Sequence, residues 1–352
     1  MGAPIHSVID WSSSNYDMVI DVRAPTEFLS DHIPSAINMP VLSDIERDEV
    51  GRVYNQASPF EARKLGAAYI SKNIANHLQC KLLKMGSDFQ PLIYCWRGGQ
   101  RSFAFNKILS EIGWRSFQLK GGYKTYRQDV IKGLEKSAKE LSLVVVSGYT
   151  GSGKTKVLHA LKSEGEQIID LEQLACHSGS LLGKRPGQIQ PAQKHFESKL
   201  FETIRSCLTS RKIYVEDESA TIGNLTLPAP FWKKMKISPL IWLETPLESR
   251  ANFLVEEYAH LNSNSHELES LLKLIVRRGN AQLAREISED IKKCKWKSVA
   301  TNLILGHYDP AYKKSIKRSK SKKVINIFQT DCSEKVIKST VREIISKTSK
   351  EF

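Results

Sequence analysis

Apolar residues fall along the chain in two periods. Short apolar runs ending in charged or glycine-rich turns read as buried strands at 18–22, 37–41 and 91–95. Between and after them, apolar residues recur at helical spacing over 59–78, 101–114 and 121–141. Strands alternating with helices predict an α/β domain built on a largely parallel sheet. The pattern restarts at 141–161 (LSLVVVSGYTGSGKTKVLHAL), a strand at 143–146, a glycine-rich loop and a helix. The predicted division is therefore 1–135 and 136–352, two α/β domains with 121–141 as the bridge. Long charged helices are expected over 265–300, giving the second domain a helical C-terminal part. The stretch 312–323 (YKKSIKRSKSKK) places seven basic residues in twelve and reads as part of a basic tail.

With 352 residues the chain can bury two cores. Its net charge is +14; residues 1–137 carry +3, so +11 falls on the rest. A basic second half suits a polyanion, most simply nucleic acid, and equally a protein from a basic proteome. The six cysteines include no C-x-x-C pair, which argues against a disulfide framework and a zinc knuckle. A cytoplasmic location is expected. No apolar run approaches the roughly 18 residues of a membrane span, and no secretory pattern opens the chain. A monomer is the default expectation, with the oligomeric state open.

The first candidate site is YCWRGGQRS, 94–102. Cys95 sits where a strand gives way to a glycine-rich turn and a helix. Backbone N–H groups curling around a sulfur, with a helix N-terminus behind, stabilise a thiolate. Gly98 and Gly99 permit that curl, and Arg97 and Arg101 would hold an anionic group near the sulfur. A buried structural cysteine fits the same position. The stretch DVRAPTEFLSDHIPSAINMPV (21–41) together with this loop resembles the rhodanese domain. There the cysteine loop reads C-x-x-G-x-R-S and carries sulfur or selenium as a persulfide-type group. Here one residue is inserted, giving C-x-x-x-x-x-R, the spacing of cysteine-dependent phosphatases. The wider loop is expected to admit a tetrahedral oxyanion beside the sulfur.

The second is GYTGSGKT, which fits G-x-x-x-x-G-K-[ST] between a strand and a helix. Gly148, Gly151, Ser152, Gly153, Lys154 and Thr155 are the expected diphosphate-binding residues: backbone N–H groups take the oxygens, Lys154 neutralises them, and Thr155 could ligate Mg2+. The strand 213–215 ends in Glu216-Asp217-Glu218, and Asp217 is the chosen second magnesium candidate; a solvated acidic turn explains it as well. No base-recognition motif accompanies the loop. ATP or GTP is the default ligand, though any diphosphate ester satisfies the same donors.

Other candidates carry less. His177, Ser178, Lys184, Arg185, Gln190 and Gln193 could line a substrate site. Tyr308 and Tyr312 could stack on a nucleobase or simply anchor the last helix. Lys184, Arg185, Tyr308, Tyr312, Lys313 and Lys314 are the candidate nucleic-acid contacts.

YCWRGGQRS, LKGGYKTYR, SGYTGSGKT, DLEQLACHSGS, VEDES and YDPAY in this order resemble the bacterial tRNA 2-selenouridine synthases, from about residue 21 to 312. The resemblance implies a rhodanese-like domain followed by a P-loop NTPase-like domain. It implies that geranyl diphosphate alkylates the 2-thiouridine at the tRNA wobble position, and that selenophosphate then supplies selenium as geranylthiol leaves. Cys95, Arg97 and Arg101 would serve the selenium step and the phosphate loop the diphosphate. A selenophosphate supply system and tRNA are the implied partners, and Mg2+ is an optional one. The competing readings are an ATP-dependent tRNA sulfurtransferase, a cysteine-dependent phosphatase fused to a P-loop kinase, and a nucleotide-switched RNA-binding module.

Overall fold

The computed structural model describes residues 2–178, 188–259, 265–277, 280–316 and 323–351. They form two compact units. The first comprises residues 1–134 and 191–202, the second 135–190 and 203–352. The division expected near 135 thus misses one segment. Residues 191–202 group with the first unit, to which the buried Ser198 of the helix Gln193–Ser206 is tied by its hydrogen bond to Asp31.

The first unit is a five-stranded sheet of β1 (His6–Val8), β2 (Met18–Asp21), β3 (Ile37–Asn38), β4 (Pro91–Tyr94) and β5 (Phe117–Leu119) in the order β1-β5-β4-β2-β3. Every pairing is parallel. All four residues of β4 are buried, as a central strand covered on both faces requires. Ile20, Val22, Ile93, Phe105, Leu109 and Trp114 make the core around it. The piece expected to be a strand over 37–41 shortens to two residues because Pro40 has no N–H for the ladder. The helix Pro59–His77 begins where Ser58 accepts the N–H of Glu61 and Pro59 takes the first position.

The second unit holds β6 (Ser142–Gly148), β7 (Gln167–Ile169), β8 (Lys212–Glu216), β11 (Leu240–Glu244) and β12 (Val324–Phe328), all parallel, in the order β12-β11-β6-β8-β7. The strands β9 (Thr221–Ile222) and β10 (Leu225–Thr226) form a small antiparallel ladder. β6 is central, and the helix Lys154–Ser163 follows its loop directly. The charged helices expected over 265–300 are Ser265–Arg277, Ala281–Lys292 and Trp296–Leu303, closing on Ile275, Leu283, Ile287, Val299 and Leu303.

The basic tail is a correction. Residues 317–322 lie outside the described ones, but β12 and the helix Glu334–Glu351 are part of the second unit. Ile325, Ile327, Ile337, Val341 and Ile344 are buried against Val146, Leu158 and Leu243. Apolar residues at 337, 341 and 344 repeat at helical spacing, so burial of that face fixes the helix.

Candidate functional site

Cys95 follows β4 and is 4% exposed. The Gly99 N–H donates to its sulfur at 3.2 Å and the Ser102 hydroxyl lies 3.3 Å away. Gln118 holds this loop from β5, donating through Nε2 to the Gly98 carbonyl at 2.8 Å and the Ser102 hydroxyl at 2.9 Å. Gly98 has φ +64°, and a β-carbon on it would stand 2.5 Å from the Leu119 carbonyl oxygen. Only glycine permits so close an approach of two backbones. The helix Gln100–Ile112 begins immediately behind, capped by Gly99. Sulfur, N–H donor and helix N-terminus therefore converge as the sequence indicates.

The arginines do not close over the sulfur. Arg101 is bonded to Glu27 at 2.9 Å, and Arg97 is exposed. Burial works against the charge of Glu27, but the hydrogen bond and charge of Arg101 and the charge of Arg47 outweigh it and hold its carboxyl below the usual range. Arg23, 1% exposed, forks onto Asp21 and donates to the Asp31 carbonyl at 2.7 Å. A cavity of about 500 Å³ opens beside this network, lined by Arg23, Glu27, Arg47, Trp96, Arg101 and Lys194, with Thr26, Ser30 and Tyr123. Trp96 is the residue after the cysteine, and Arg101 lies in the first turn of the helix behind it. Arg23 lies in the 21–41 stretch without being singled out there, and Arg47 and Lys194 belong to no motif.

In the second unit the phosphate loop joins β6 to its helix. Gly151 and Gly153 have φ +86° and +68°; a β-carbon on Gly151 would meet the Arg250 carbonyl oxygen at 2.8 Å. Arg250 forks onto Asp309 at 2.9 Å through both nitrogens and donates to the Thr150 carbonyl at 3.3 Å, fixing the loop from outside. Gln329, just after β12, donates to the Ser152 carbonyl at 2.8 Å. The Ser152 hydroxyl is buried with no hydrogen-bond partner among the described residues, and Lys154 Nζ rests on the Gly148 carbonyl at 3.0 Å. An orphaned buried donor, an ammonium and a helix N-terminus in one loop suit a phosphate group. The residues present fit that ligand.

The magnesium candidates divide. The Thr155 hydroxyl donates to Glu172 Oε2 at 3.2 Å, so Glu172 is the carboxylate beside it. Asp217 is engaged elsewhere: its Oδ2 accepts from Ser147 at 2.8 Å and Tyr312 at 3.0 Å, and its Oδ1 is 3.3 Å from Lys236. Among the described residues no cluster of three His, Cys, Asp or Glu side chains is arranged for a metal. Two further carboxyls flank the loop. Glu216 is buried and accepts the Glu172 N–H at 2.7 Å; burial, then Asp170 and Glu172, push its pKa well up. Glu218 is pushed up to about 8 by burial and by Glu172, with Lys154 opposing.

The remaining candidates are spread out. The Tyr312 hydroxyl meets Ser147 and Asp217, and its ring joins Tyr149 and Trp242 at centroid distances of 5.9 and 6.1 Å. Tyr308 packs instead on the helical cluster of Leu283 and Leu303, as an anchor would. Gln190 donates to the Ala175 and Ile222 carbonyls and accepts the Asn224 N–H, which makes it structural. Gln193 bonds Glu197, and His177 is buried. Lys313 is exposed. Lys184, Arg185 and the side chain of Lys314 lie outside what the structure describes. Among the described residues no helix is long and apolar enough to cross a membrane.

Comparison with known proteins covers both halves. A family model described as the tRNA 2-selenouridine synthase AAA domain matches residues 141–297, and one described as the rhodanese-like domain matches 7–129. The tRNA 2-selenouridine synthase of Sulfurovum sp. (strain NBC37-1) is 33% identical over 340 residues, 88% of this chain and 91% of that protein. The protein of that name from Bdellovibrio bacteriovorus is 38% identical over 260 residues, 72% of this chain and 67% of the other. That from Nitrosomonas europaea is 36% identical over 245 residues, 68% of this chain and 63% of the other. The alignment thus spans a little under two thirds of the Nitrosomonas protein and nearly all of the Sulfurovum one.

Proposed function

This chain belongs to the tRNA 2-selenouridine synthase family, and from that premise we propose that it exchanges the sulfur of a 2-thiouridine at the tRNA wobble position for selenium in two steps. The first uses geranyl diphosphate. The thiocarbonyl sulfur bonds to the allylic carbon, the carbon–oxygen bond breaks, and diphosphate leaves. Lys154, the Ser152 hydroxyl and the N-terminus of the helix Lys154–Ser163 would hold that diphosphate and take up its growing charge. The alkylated sulfur is now a competent leaving group, and carbon 2 is electrophilic.

The second step uses selenophosphate. Selenium bonds to carbon 2, the bond to the geranylated sulfur breaks, and geranylthiol departs. Water takes the phosphoryl group. Selenium stays at the selenide level, so no oxidant is required. Cys95 acts here, its sulfur accepting the Gly99 N–H with the helix N-terminus behind it.

The observation that carries this reading is the pairing, on one chain, of a cradled cysteine, whose neighbour Trp96 lines a cationic cavity, with a phosphate loop whose Ser152 hydroxyl is buried and unpartnered among the described residues. The test is reconstitution. Purified protein is given a 2-thiouridine anticodon stem-loop, then geranyl diphosphate, then selenophosphate, with nucleosides read by mass spectrometry. The S-geranyl nucleoside and then 2-selenouridine are expected. ATP consumption that depends on RNA, with no prenylated product, would replace this reading by the ATP-dependent sulfurtransferase.

A further inference from the structure

The cavity of the first unit is too large for the small oxyanion alone. A tetrahedral oxyanion of five heavy atoms fills roughly 100 Å³, judged against ~30 Å³ for a water molecule. The cavity holds about 500 Å³, the size of a site for a larger ligand. Its walls have two chemistries. One is cationic. Arg101 and Arg47 reach the same Glu27 carboxylate, at 2.9 and 3.6 Å, and Arg47 also lies 3.8 Å from Asp48. Lys194 adds an exposed ammonium 5.9 Å from the Trp96 ring centroid. The other wall is aromatic. Trp96 lies against Tyr123 at 5.2 Å and 34°, and the Arg23 guanidinium packs over the Tyr123 ring at 4.0 Å. Trp96 is still 36% exposed.

We propose, resting on the reading above, that this cavity binds one nucleotide of the RNA substrate, its base stacked on Trp96 and its phosphate held by Arg47, Arg101 and Lys194. Among the described residues, Arg47, Arg101 and Lys194 face only Glu27 and Asp48 here, and the phosphate takes up the remaining positive charge. An exposed indole in a basic site is the platform that single-stranded RNA bases use, and a base drawn out of its stack needs such a platform. The Ser30 hydroxyl on the wall can meet a base edge. Trp96 follows Cys95 directly in the chain, and Arg101 lies in the first turn of the helix behind that cysteine, so the cavity and the cysteine loop share two residues of one segment. A free oxyanion would use the cationic wall and ignore the aromatic one, which separates the two sources of phosphate.

The test uses the full chain and calorimetry at low salt with three probes: uridine 5′-monophosphate, uridine and inorganic phosphate. The monophosphate should bind at least roughly tenfold more tightly than either half, since it alone engages both walls. Trp96→Ala should weaken it about tenfold, and Arg47→Gln with Lys194→Gln roughly fivefold. Arg47 and Lys194 are exposed or half-exposed, so the fold should survive, checked by melting. Inorganic phosphate binding as tightly as the monophosphate, or variants binding like the parent, overturns the proposal. Selenium transfer tells its failure from that of the wider reading. If the parent makes 2-selenouridine and Arg47→Gln/Lys194→Gln does so with unchanged KM for the stem-loop, the cavity assignment alone falls. If the parent makes none while binding the monophosphate as described, the wider reading falls and the nucleotide site stands.

Discussion

Gly122 backs directly onto Cys95. A β-carbon on Gly122, whose φ is +59°, would stand 2.2 Å from the Cys95 carbonyl oxygen and 2.6 Å from the Gly98 nitrogen. That carbonyl accepts the N–H of Tyr123 at 2.8 Å, and the next, on Trp96, accepts that of Lys124 at 3.1 Å. The glycine pair Gly121-Gly122 thus serves the cysteine loop through its backbone. Both close approaches are to backbone atoms, which cannot swing aside. Gly122→Ala should push the Cys95 carbonyl outward and remove the Gly99 N–H from the sulfur. Its backbone strain should cost about 1–3 kcal/mol of stability. Thermal melting reads the cost, and selenium transfer should fall by far more than S-geranylation does. Equal falls in both would mean general misfolding.

Cys95→Ala should block selenium incorporation and leave geranylation largely intact. The Cys95 sulfur is needed only where selenophosphate reacts, and the substitution removes one atom from a cradle fixed by Gln118 and Gly98. Mass spectrometry of tRNA from cells expressing the variant should show S-geranyl-2-thiouridine accumulating. Undiminished 2-selenouridine would remove Cys95 from the mechanism.

Lys154→Ala should stop the first step, and with it the selenium exchange that needs the alkylated base. The Lys154 ammonium rests on the Gly148 carbonyl, a partner it can give up for a diphosphate oxygen. Without this charge-assisted hydrogen bond, diphosphate binding weakens by about 1.5–3 kcal/mol, and more where charge develops on the leaving group. Normal S-alkylation by the purified variant would show that the loop does not hold the isoprenoid diphosphate.

What the sequence made legible follows from how far apart the cooperating residues lie. The phosphate loop and the cysteine loop are local: eight or nine consecutive residues set the turn, the donors and the helix start. Glu172 is not local. It reaches Thr155 only because β7 returns the chain beside β6's neighbour β8, whereas the acidic cluster at 216–218 announces itself at a strand end. The cavity is harder still, gathering Arg23, Arg47, Trp96 and Lys194 from four distant segments. β12 is hidden by its neighbour, since five residues after a basic run look like tail. The final helix is readable, as Ile337, Val341 and Ile344 keep helical spacing.

Glu218 gives a pH signature. Its pKa is pushed up to about 8, so near neutrality the folded protein holds a proton that the unfolded chain, near 4.5, has released. Where the folded state binds more protons, stability falls as pH rises. This group's contribution is therefore complete below about pH 4.5 and is lost through pH 8. A diphosphate arriving beside Lys154 brings negative charge near Glu218 and raises its pKa further. Binding at pH 8 should then take up part of a proton. Calorimetry of diphosphate in buffers of different ionisation enthalpy measures that uptake, and Glu218→Gln should abolish it. Uptake unchanged in the variant would assign the proton to the ligand or to Glu216.

The basic second half should show itself in salt. Deleting everything after Ile316 cannot test the 312–323 cluster, because it also removes β12 and the helix Glu334–Glu351 with the buried Ile327, Val341 and Ile344. That truncation should fail to fold. The informative variant keeps the chain and replaces Lys313, Lys314, Lys317, Arg318, Lys320 and Lys322 with Gln. Each phosphate neutralised contributes roughly −0.7 to −0.9 to the slope of log affinity against log salt. If the cluster grips tRNA, the slope flattens by roughly one of those increments for each phosphate the variant no longer neutralises. Geranyl diphosphate binding should be unchanged, since the phosphate loop and its supports Arg250 and Gln329 are untouched. A cognate tRNA titrated from low to physiological salt gives both slopes. Equal slopes would mean the cluster is merely solvated, and a near-zero slope in the parent would count against tRNA as its substrate.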